Sequence, residues 1–235
     1  MYNFSISLCV PALNEEKTLS AAVRDLINTL SSLVKELEII IVDDGSSDST
    51  FQIANNLALE FSQVKVIHHE NNLGLGASFK DALAKSKGDY FSWFPADHEN
   101  SAREFIPCLQ HLGKNIIVTS NHRGYDSRPL LRRLISRTYT WIINKYFCLN
   151  LKYYNGLTVF PTLGLRSFNL TSDGFFLPAE SIIWAVRRGY QVVELSTPLE
   201  KRKWGRSKAL TLASIIKMLR SFTYFLFNEH KELRK

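Results

Sequence analysis

Residues 39–50 read IIIVDDGSSDST, and a related pattern, VPALNEE, precedes them at residues 10–16. An apolar run ending in two aspartates and a glycine turn is typical of a buried strand that delivers carboxylates to the C-terminal edge of a sheet. Open α/β sheets bind their ligands at that edge. Near the chain start, ISLCVP leads into Asn14, Glu15 and Glu16. Two strands that end in polar side chains predict one shared crevice for a nucleotide.

Strand and helix patterns alternate through the first part of the chain, which predicts a mostly parallel sheet flanked by helices. The patterns predict strands at Ser5–Val10, Glu38–Val42, Val64–His68 and Asp89–Phe94, and helices at Glu15–Leu33, Ser49–Phe61 and Leu75–Ser86. Beyond residue 115 they predict strands at Asn115–Ser120, Val159–Leu165 and Gln191–Leu195, and helices from about residue 135 to Phe147 and at Pro178–Arg188.

Composition favours one globular domain. The chain has 235 residues and 26.9 kDa, and its 45% hydrophobic content can bury a full core. Its three cysteines, Cys9, Cys108 and Cys148, form no CxxC motif. This usage favours a reducing compartment and argues against a disulfide scaffold or a zinc site. We expect no signal peptide, because the first residues lead directly into a strand.

Charge is unevenly distributed. Residues 1–120 carry 9 Lys and Arg against 15 Asp and Glu, whereas residues 121–235 carry 20 against 7. A basic half favours an anionic partner such as a phosphate, a nucleic acid or a membrane surface. A nucleic-acid partner is disfavoured, because no known nucleic-acid module is recognisable and the acidic half would repel phosphates.

An apolar segment, ALTLASIIKMLRSFTYFLF, occupies residues 209–227 and predicts a final amphipathic helix. Lys217 and Arg220 lie near its centre, and such charges are costly in hydrocarbon. The pattern fits a helix at a membrane interface, with packing on the core or on a dimer partner as the alternative.

Asp43 and Asp44 are expected to need hydrogen-bond or metal partners. Gly45, Ser46 and Asp48 are explained by turn and cap chemistry, with Ser47 or Asp48 as the predicted helix N-cap. Two adjacent acids at the end of a buried strand are not, because burying carboxylates without a partner is costly. A sugar hydroxyl, a base amide or a metal ion would supply one.

Four motifs in order, VPALNEE, VDDGSSDST, NNLGLGASFKDALAKSKGDY and KRKWGRSK, resemble the inverting glycosyltransferases of family 2, most closely the dolichyl-phosphate mannose synthase branch. The resemblance covers about residues 5–210. It implies the GT-A fold over residues 1–208, with a nucleotide-sugar part to about residue 120 and an acceptor part from 121 to 208. Residues 209–235 then form the C-terminal helical segment. The donor-binding residues it implies are Pro11, Asn14, Glu15, Asp43, Asp44, Arg202 and Lys208.

A metal site is also implied by the resemblance. The family's metal-binding DxD falls on Pro95, Ala96 and Asp97, so the first carboxylate is missing, while Glu99 adds one two positions later. A magnesium-type site needs one or two carboxylates together with substrate phosphates. We therefore expect Asp97 and Glu99 to bind Mg²⁺ or Mn²⁺ with the donor diphosphate.

The same resemblance implies a role for the basic half of the chain, residues 121–235. Arg123, Arg132 and Ser136 match residues that receive the acceptor's phosphate. Arg202, Ser207 and Lys208 match a loop that closes over the donor diphosphate and that phosphate. The catalytic set implied in this way is Asp97, Arg123, Arg132, Ser136 and Arg202.

The identity of the sugar acceptor can be inferred from the charge of its attacking group. A hydroxyl acceptor needs a general base, whereas a lipid phosphate is already an anion. The second half has no obvious base motif, although Asp173 and Glu180 are candidates. We therefore expect hexose transfer from a nucleotide sugar to a polyprenyl phosphate of the dolichyl or undecaprenyl type, at the inner, cytoplasmic face of a membrane. Transfer to a glycan hydroxyl in surface-polysaccharide assembly and a catalytically silent sugar-nucleotide-binding protein are alternatives. A membrane-protein partner or a homodimer also fits.

Overall fold

The computed structural model describes residues 1–97, 100–121, 130–197 and 220–225. Its strands are β1 (Tyr2–Ala12), β2 (Val34–Asp44), β3 (Val64–His69), β4 (Tyr90–Trp93), β5 (Ile116–Asn121), β6 (Thr158–Pro161) and β7 (Gln191–Ser196). Its labelled helices are α1 (Leu19–Leu30), α2 (Thr50–Glu60), α3 (Leu75–Lys85), α4 (Phe105–Leu109), α5 (Leu130–Phe147), α6 (Thr162–Arg166) and α7 (Leu177–Arg187).

The strands form one seven-stranded sheet in the order β3-β2-β1-β4-β6-β5-β7. Only β6 runs antiparallel to its neighbours β4 and β5, and the other pairs are parallel. The prediction of a mostly parallel α/β sheet is therefore confirmed. Strands from both halves of the chain belong to this sheet, because β6 joins β4 to β5.

Two layers of helices cover the sheet because its central strands are apolar on both faces. Leu8 and Val10 of β1 face one cluster, which includes core residues of α1, α2 and α4. Cys9 of the same strand faces the other cluster, with core residues of α3, α5, α6 and α7. The alternation along β1 thus sends successive side chains into opposite layers.

One predicted strand is partly wrong. The segment expected as a strand over Val159–Leu165 leaves the sheet after Pro161, and Thr162 begins α6. The N–H of Thr162 donates to the carbonyl of Asp89 over 2.9 Å, and its hydroxyl donates to the carbonyl of Gly88 over 2.6 Å. These bonds fix the chain at the start of β4, so it turns there.

One helical prediction needs correction, and one helix was not predicted. α1 begins at Leu19 and not at Glu15, because residues 14–16 bond to the loop after β2 and to the first residue of α2. α4, preceded by a 3₁₀ turn at Ala102–Glu104, was not expected from the sequence.

Residues 220–225 are helical and pack on the end of α5. The ring centroids of Phe222 and Phe225 lie 6.2 and 5.8 Å from that of Phe147. The rest of the expected helix at 209–227 lies outside the described residues. Within the described ranges, no helix is both long and apolar enough to span a bilayer.

Candidate active site

Three neighbouring parallel strands bring the predicted donor-side residues to one edge of the sheet. Ala12 at the end of β1 is paired with Asp43 of β2, and Cys9 is paired with Trp93 at the end of β4. Asn14 and Glu15 lie two and three residues after the end of β1, and Asp97 lies four residues after the end of β4. The structure therefore places the polar ends of β1, β2 and β4 at the same C-terminal edge, as the sequence predicts.

Reciprocal hydrogen bonds join the loops after β1 and β2. Oδ1 of Asn14 accepts the N–H of Ser47 over 2.8 Å, while the N–H of Asn14 donates to the hydroxyl of Ser46 over 2.9 Å. The N–H of Glu15 donates to Oγ1 of Thr50 over 2.8 Å. Asn14 adopts a φ of 53°, a left-handed conformation that asparagine tolerates better than most residues. These hydrogen bonds therefore hold the loop after β2 against the loop after β1.

The helix after β2 is capped by the side chain of Asp48, one of the two predicted residues, although the N-cap position itself falls on Ser49. Ser49 occupies the N-cap position of α2 but makes no side-chain cap bond. Asp48, one residue earlier, makes the capping bond, because its Oδ1 accepts the N–H of Thr50 over 3.0 Å. The side chain of Asp48 thus carries the capping bond, although its own position lies outside the helix.

Gly45 is required by its surroundings as well as by its backbone. Its φ is +73°, and a Cβ at this position would lie 2.7 Å from the carbonyl carbon of Asn71. Only glycine allows the loop after β3 to approach so closely.

Asp43 is the most distinctive side chain at this edge. It is fully buried, and its Oδ2 lies 2.8 Å from Nδ1 of His68. Its Oδ1 is buried and has no hydrogen-bond partner among the described residues. An unpartnered buried carboxylate oxygen is costly and points to a further group, such as a ligand, that would bond it.

Asp44 has a different role from its neighbour. Its Oδ1 accepts the N–H of Leu73 over 2.8 Å and lies 2.9 Å from Nδ1 of His69, and its Oδ2 accepts the N–H of Gly74 over 2.9 Å. The sequence predicted that a ligand would satisfy both aspartates. The protein's own groups already bond both oxygens of Asp44, so this carboxylate anchors the loop between β3 and α3, and its contact with a donor stays a prediction.

His68 and His69 were missed by the sequence reasoning. They lie directly opposite Asp43 and Asp44 in the parallel register of β2 and β3. His68 also stacks on Phe51, with the ring centroids 4.1 Å apart. The signal was present in the sequence, since two polar pairs at the ends of consecutive parallel strands meet at one edge.

Asp97 is half-buried in the turn that follows β4. Glu99 lies outside the described residues, and no cluster of three or more His, Cys, Asp or Glu that could hold a metal ion occurs within the described part of the chain. A magnesium-type ion bound mainly by substrate phosphates and water needs only one or two carboxylates. Asp97 alone is therefore compatible with such an ion.

Two of the predicted acceptor-binding residues lie in α5. Arg132 and Ser136 lie one helical turn apart and are both half-buried, whereas Arg137 is exposed. The remaining predicted residues, Arg123, Arg202 and Lys208, lie outside the described ranges.

The two candidate bases make contacts within the protein. Glu180 is fully buried, and its carboxylate accepts the N–H groups of Thr171 and Ser172 over 2.7 and 2.9 Å. Asp173 pairs with Nζ of Lys80 over 2.6 Å. Through these bonds, Glu180 anchors the loop before α7.

Comparison with known proteins identifies the relatives of this chain. A profile of glycosyl transferase family 2 matches residues 7–175. Glycosyltransferase AglD of Haloferax volcanii is 25% identical over 223 residues, which cover 91% of this chain and 35% of that protein. The chain thus spans about a third of the length of this relative. Dolichyl-phosphate beta-glucosyltransferase ALG5C of Trichomonas vaginalis is 25% identical over 228 residues, covering 89% and 67% of the two chains.

Solved structures share the fold. Glucosyl-3-phosphoglycerate synthase from Mycobacterium tuberculosis, in complex with Mn²⁺, uridine diphosphate and phosphoglyceric acid, superposes with a TM-score of 0.70 at 20% identity. The match covers 93% of this chain and 78% of that one. The GT-A fold expected from the sequence is therefore confirmed.

Proposed function

This chain belongs to glycosyl transferase family 2 and is a glycosyltransferase, and from that premise we propose that it transfers a hexose from a nucleotide-diphosphate sugar to a polyprenyl phosphate, with inversion. The single observation that carries the donor half of the proposal is the buried Oδ1 of Asp43, which has no partner among the described residues. The acceptor half rests on the basic second half of the chain and on the dolichyl-phosphate relative.

The donor's base and ribose would bind where β1 and β2 end. Oδ1 of Asp43 can only accept a hydrogen bond while the carboxylate is ionised, so it suits an N–H of a base or an O–H of a ribose. His68 holds the other oxygen of this carboxylate, and the bonds between Asn14 and Ser47 fix the adjacent loop. Binding would therefore need little rearrangement of this wall.

A divalent metal ion, Mg²⁺ or Mn²⁺, would neutralise charge on the donor diphosphate. Asp97 and Glu99 are the residues proposed to hold it. Asp97 lies beyond β4, next to β1 in the sheet, so a diphosphate extending from a nucleotide at the ends of β1 and β2 would approach it. Arg202 and Lys208 are proposed to contact the same diphosphate.

The proposed acceptor is a phosphate because it needs no general base. Arg123, Arg132 and Ser136 are proposed to bind it, and Arg132 and Ser136 share one side of α5. The contacts of Glu180 support this proposal, because this carboxylate is fully buried and its two oxygens accept the N–H groups of Thr171 and Ser172. Since polyprenyl phosphates reside in membranes, we propose that the chain works at the inner, cytoplasmic surface of one.

The test is transfer from radiolabelled nucleotide sugars to a short-chain polyprenyl phosphate in detergent, with Mg²⁺ or Mn²⁺. We expect a labelled lipid product from one donor, and the product should be lost in Asp97→Ala. Transfer to a glycan but not to the lipid would contradict the acceptor proposal. Donor binding without turnover on any acceptor would identify a catalytically silent protein.

A further inference from the structure

One face of α5 is apolar and exposed to solvent. Trp141 is 65% exposed, Leu134 62% and Tyr146 48%, and Leu130, Ile135 and Ile142 are also exposed. Nearly half of the large exposed hydrophobic residues in the described part of the chain lie on this single helix. We call these six residues the α5 outer face. A contiguous exposed apolar surface of this kind marks an interaction site.

The opposite side of the same helix is already packed on the core. Ile143 and Phe147 are buried in the second hydrophobic cluster, and Tyr139 packs against it. Burial raises the pKa of the Tyr139 hydroxyl well above its ordinary value. The inner side therefore supports the fold. On the outer face, the ring of Tyr146 contacts that of Phe222, with centroids 6.0 Å apart, while Leu134 and Trp141 are more than 60% exposed.

The helix is purely cationic. Leu130–Phe147 contains Arg132, Arg133, Arg137 and Lys145 and has no Asp or Glu. Pairing of this face with a second copy would bring like charges together and supply no acid to offset them. An anionic surface is complementary to it.

We propose that the α5 outer face docks on an anionic lipid bilayer. A tryptophan and a tyrosine among aliphatic side chains are suited to the interfacial region of a membrane, where their rings have apolar and polar surroundings together. Arg137 and Lys145 are exposed beside the apolar residues and would meet lipid phosphates. The helix would lie in the plane of the interface with its apolar side chains in the acyl boundary.

This docking explains how a membrane-resident acceptor would reach the site, and in that respect it rests on the proposed function. Arg132 and Ser136 are half-buried on the side of α5 away from Leu134 and Trp141. A lipid phosphate that leaves the bilayer plane at this helix would therefore meet them after crossing only the width of the helix.

Vesicle binding tests the inference without donor or acceptor, so its outcome is separable from that of the transfer assay. The full chain is sedimented with vesicles of phosphatidylcholine alone or with about 30% phosphatidylglycerol. The variant Leu134→Glu/Trp141→Glu is compared with Leu59→Glu/Leu163→Glu, which adds the same charge at sites 87% and 81% exposed on other helices. Thermal unfolding of both variants checks that they fold.

We expect binding to the anionic vesicles only, a loss of at least about tenfold in Leu134→Glu/Trp141→Glu, and a change of less than about twofold in the matched control. Brominated phosphatidylglycerol should quench a tryptophan signal that Trp141→Phe removes. Equal binding by the two double variants, or quenching unchanged by Trp141→Phe, would overturn the inference. So would a stable dimer or a complex with an acidic protein that the same double variant dissociates while vesicle binding persists.

Discussion

Nδ1 of His68 lies 2.8 Å from Oδ2 of Asp43, and this contact leaves the other oxygen of Asp43 buried without a partner among the described residues. The two residues are 25 positions apart and meet because β2 and β3 are parallel and in register. His68 thereby fixes the orientation of the carboxylate, and one oxygen stays available to a ligand.

Asp43→Asn should weaken binding of a nucleoside diphosphate sugar by about 10- to 100-fold, because a hydrogen bond to a charged group contributes about 1.5–3 kcal/mol. Isothermal titration calorimetry measures this dissociation constant. The control is Asp89→Asn, which alters a carboxylate bound to the N–H of Ser5 at the other end of the sheet and should leave the constant unchanged. Unaltered affinity in a folded Asp43→Asn protein would contradict the role given to Oδ1.

Asp44→Ala should lower the free energy of unfolding by about 2–4 kcal/mol, because it leaves the N–H groups of Leu73 and Gly74 without their acceptor. Urea denaturation at neutral pH provides the measurement. Asp81→Ala removes the other carboxylate bound to His69, but its side chain is 53% exposed, so the loss should be at most about 1 kcal/mol. Equal losses in the two variants would show that Asp44 does not anchor the loop.

Gly76→Ala should destabilise the protein by about 1–3 kcal/mol, since the added Cβ would lie 2.3 Å from the carbonyl oxygen of Ser172 and 2.5 Å from Cα of Asp173. The melting temperature reports the change. Gly174→Ala is the matched control, because nothing lies within 4 Å of its added Cβ. A similar melting temperature for both variants would mean that α3 and the loop before α7 are not in close contact.

Glu38 should contribute to the loss of stability in acid. Burial acts to raise the pKa of its carboxyl, but hydrogen bonds from Lys65, the Ser7 hydroxyl and the N–H of Lys87 outweigh it and hold the pKa below its ordinary value of 4.5. A lowered pKa in the folded state gives stability that is present above the unfolded-state pKa and is lost as the pH falls through the folded-state pKa.

The difference in unfolding free energy between the wild type and Glu38→Gln should therefore be largest near neutral pH and should shrink below a pH of about 4. Urea denaturation across this range measures it. Glu36→Gln, an exposed neighbour, removes the same formal charge and corrects for the change in net charge. A difference that stays constant down to a pH of about 3 would rule out the proposed linkage.

Much of the fold could be read from local patterns, because each signal lies within a few residues. Continuous apolar runs such as Ile39–Val42 predicted parallel strands, since strands covered on both faces need apolar side chains on both. The same patterns failed at Thr162, where bonds to Gly88 and Asp89 end a strand that periodicity alone would extend. They also missed α4, whose five residues are too few to show a helical period.

The candidate site was likewise only partly predictable from the sequence. The sequence by itself determined that Asn14, Glu15, Asp43, Asp44 and Asp97 follow strands and would meet at one edge, because strand direction and periodicity are local properties. It did not determine which oxygens of the two aspartates are bonded by the protein's own groups. Only the tertiary structure decided this, because His68, His69 and the loop at Leu73 and Gly74 come close to the pair only when β3 docks beside β2. Hydrogen bonds within the protein then engage both oxygens of Asp44, whereas Oδ1 of Asp43 has no partner among the described residues.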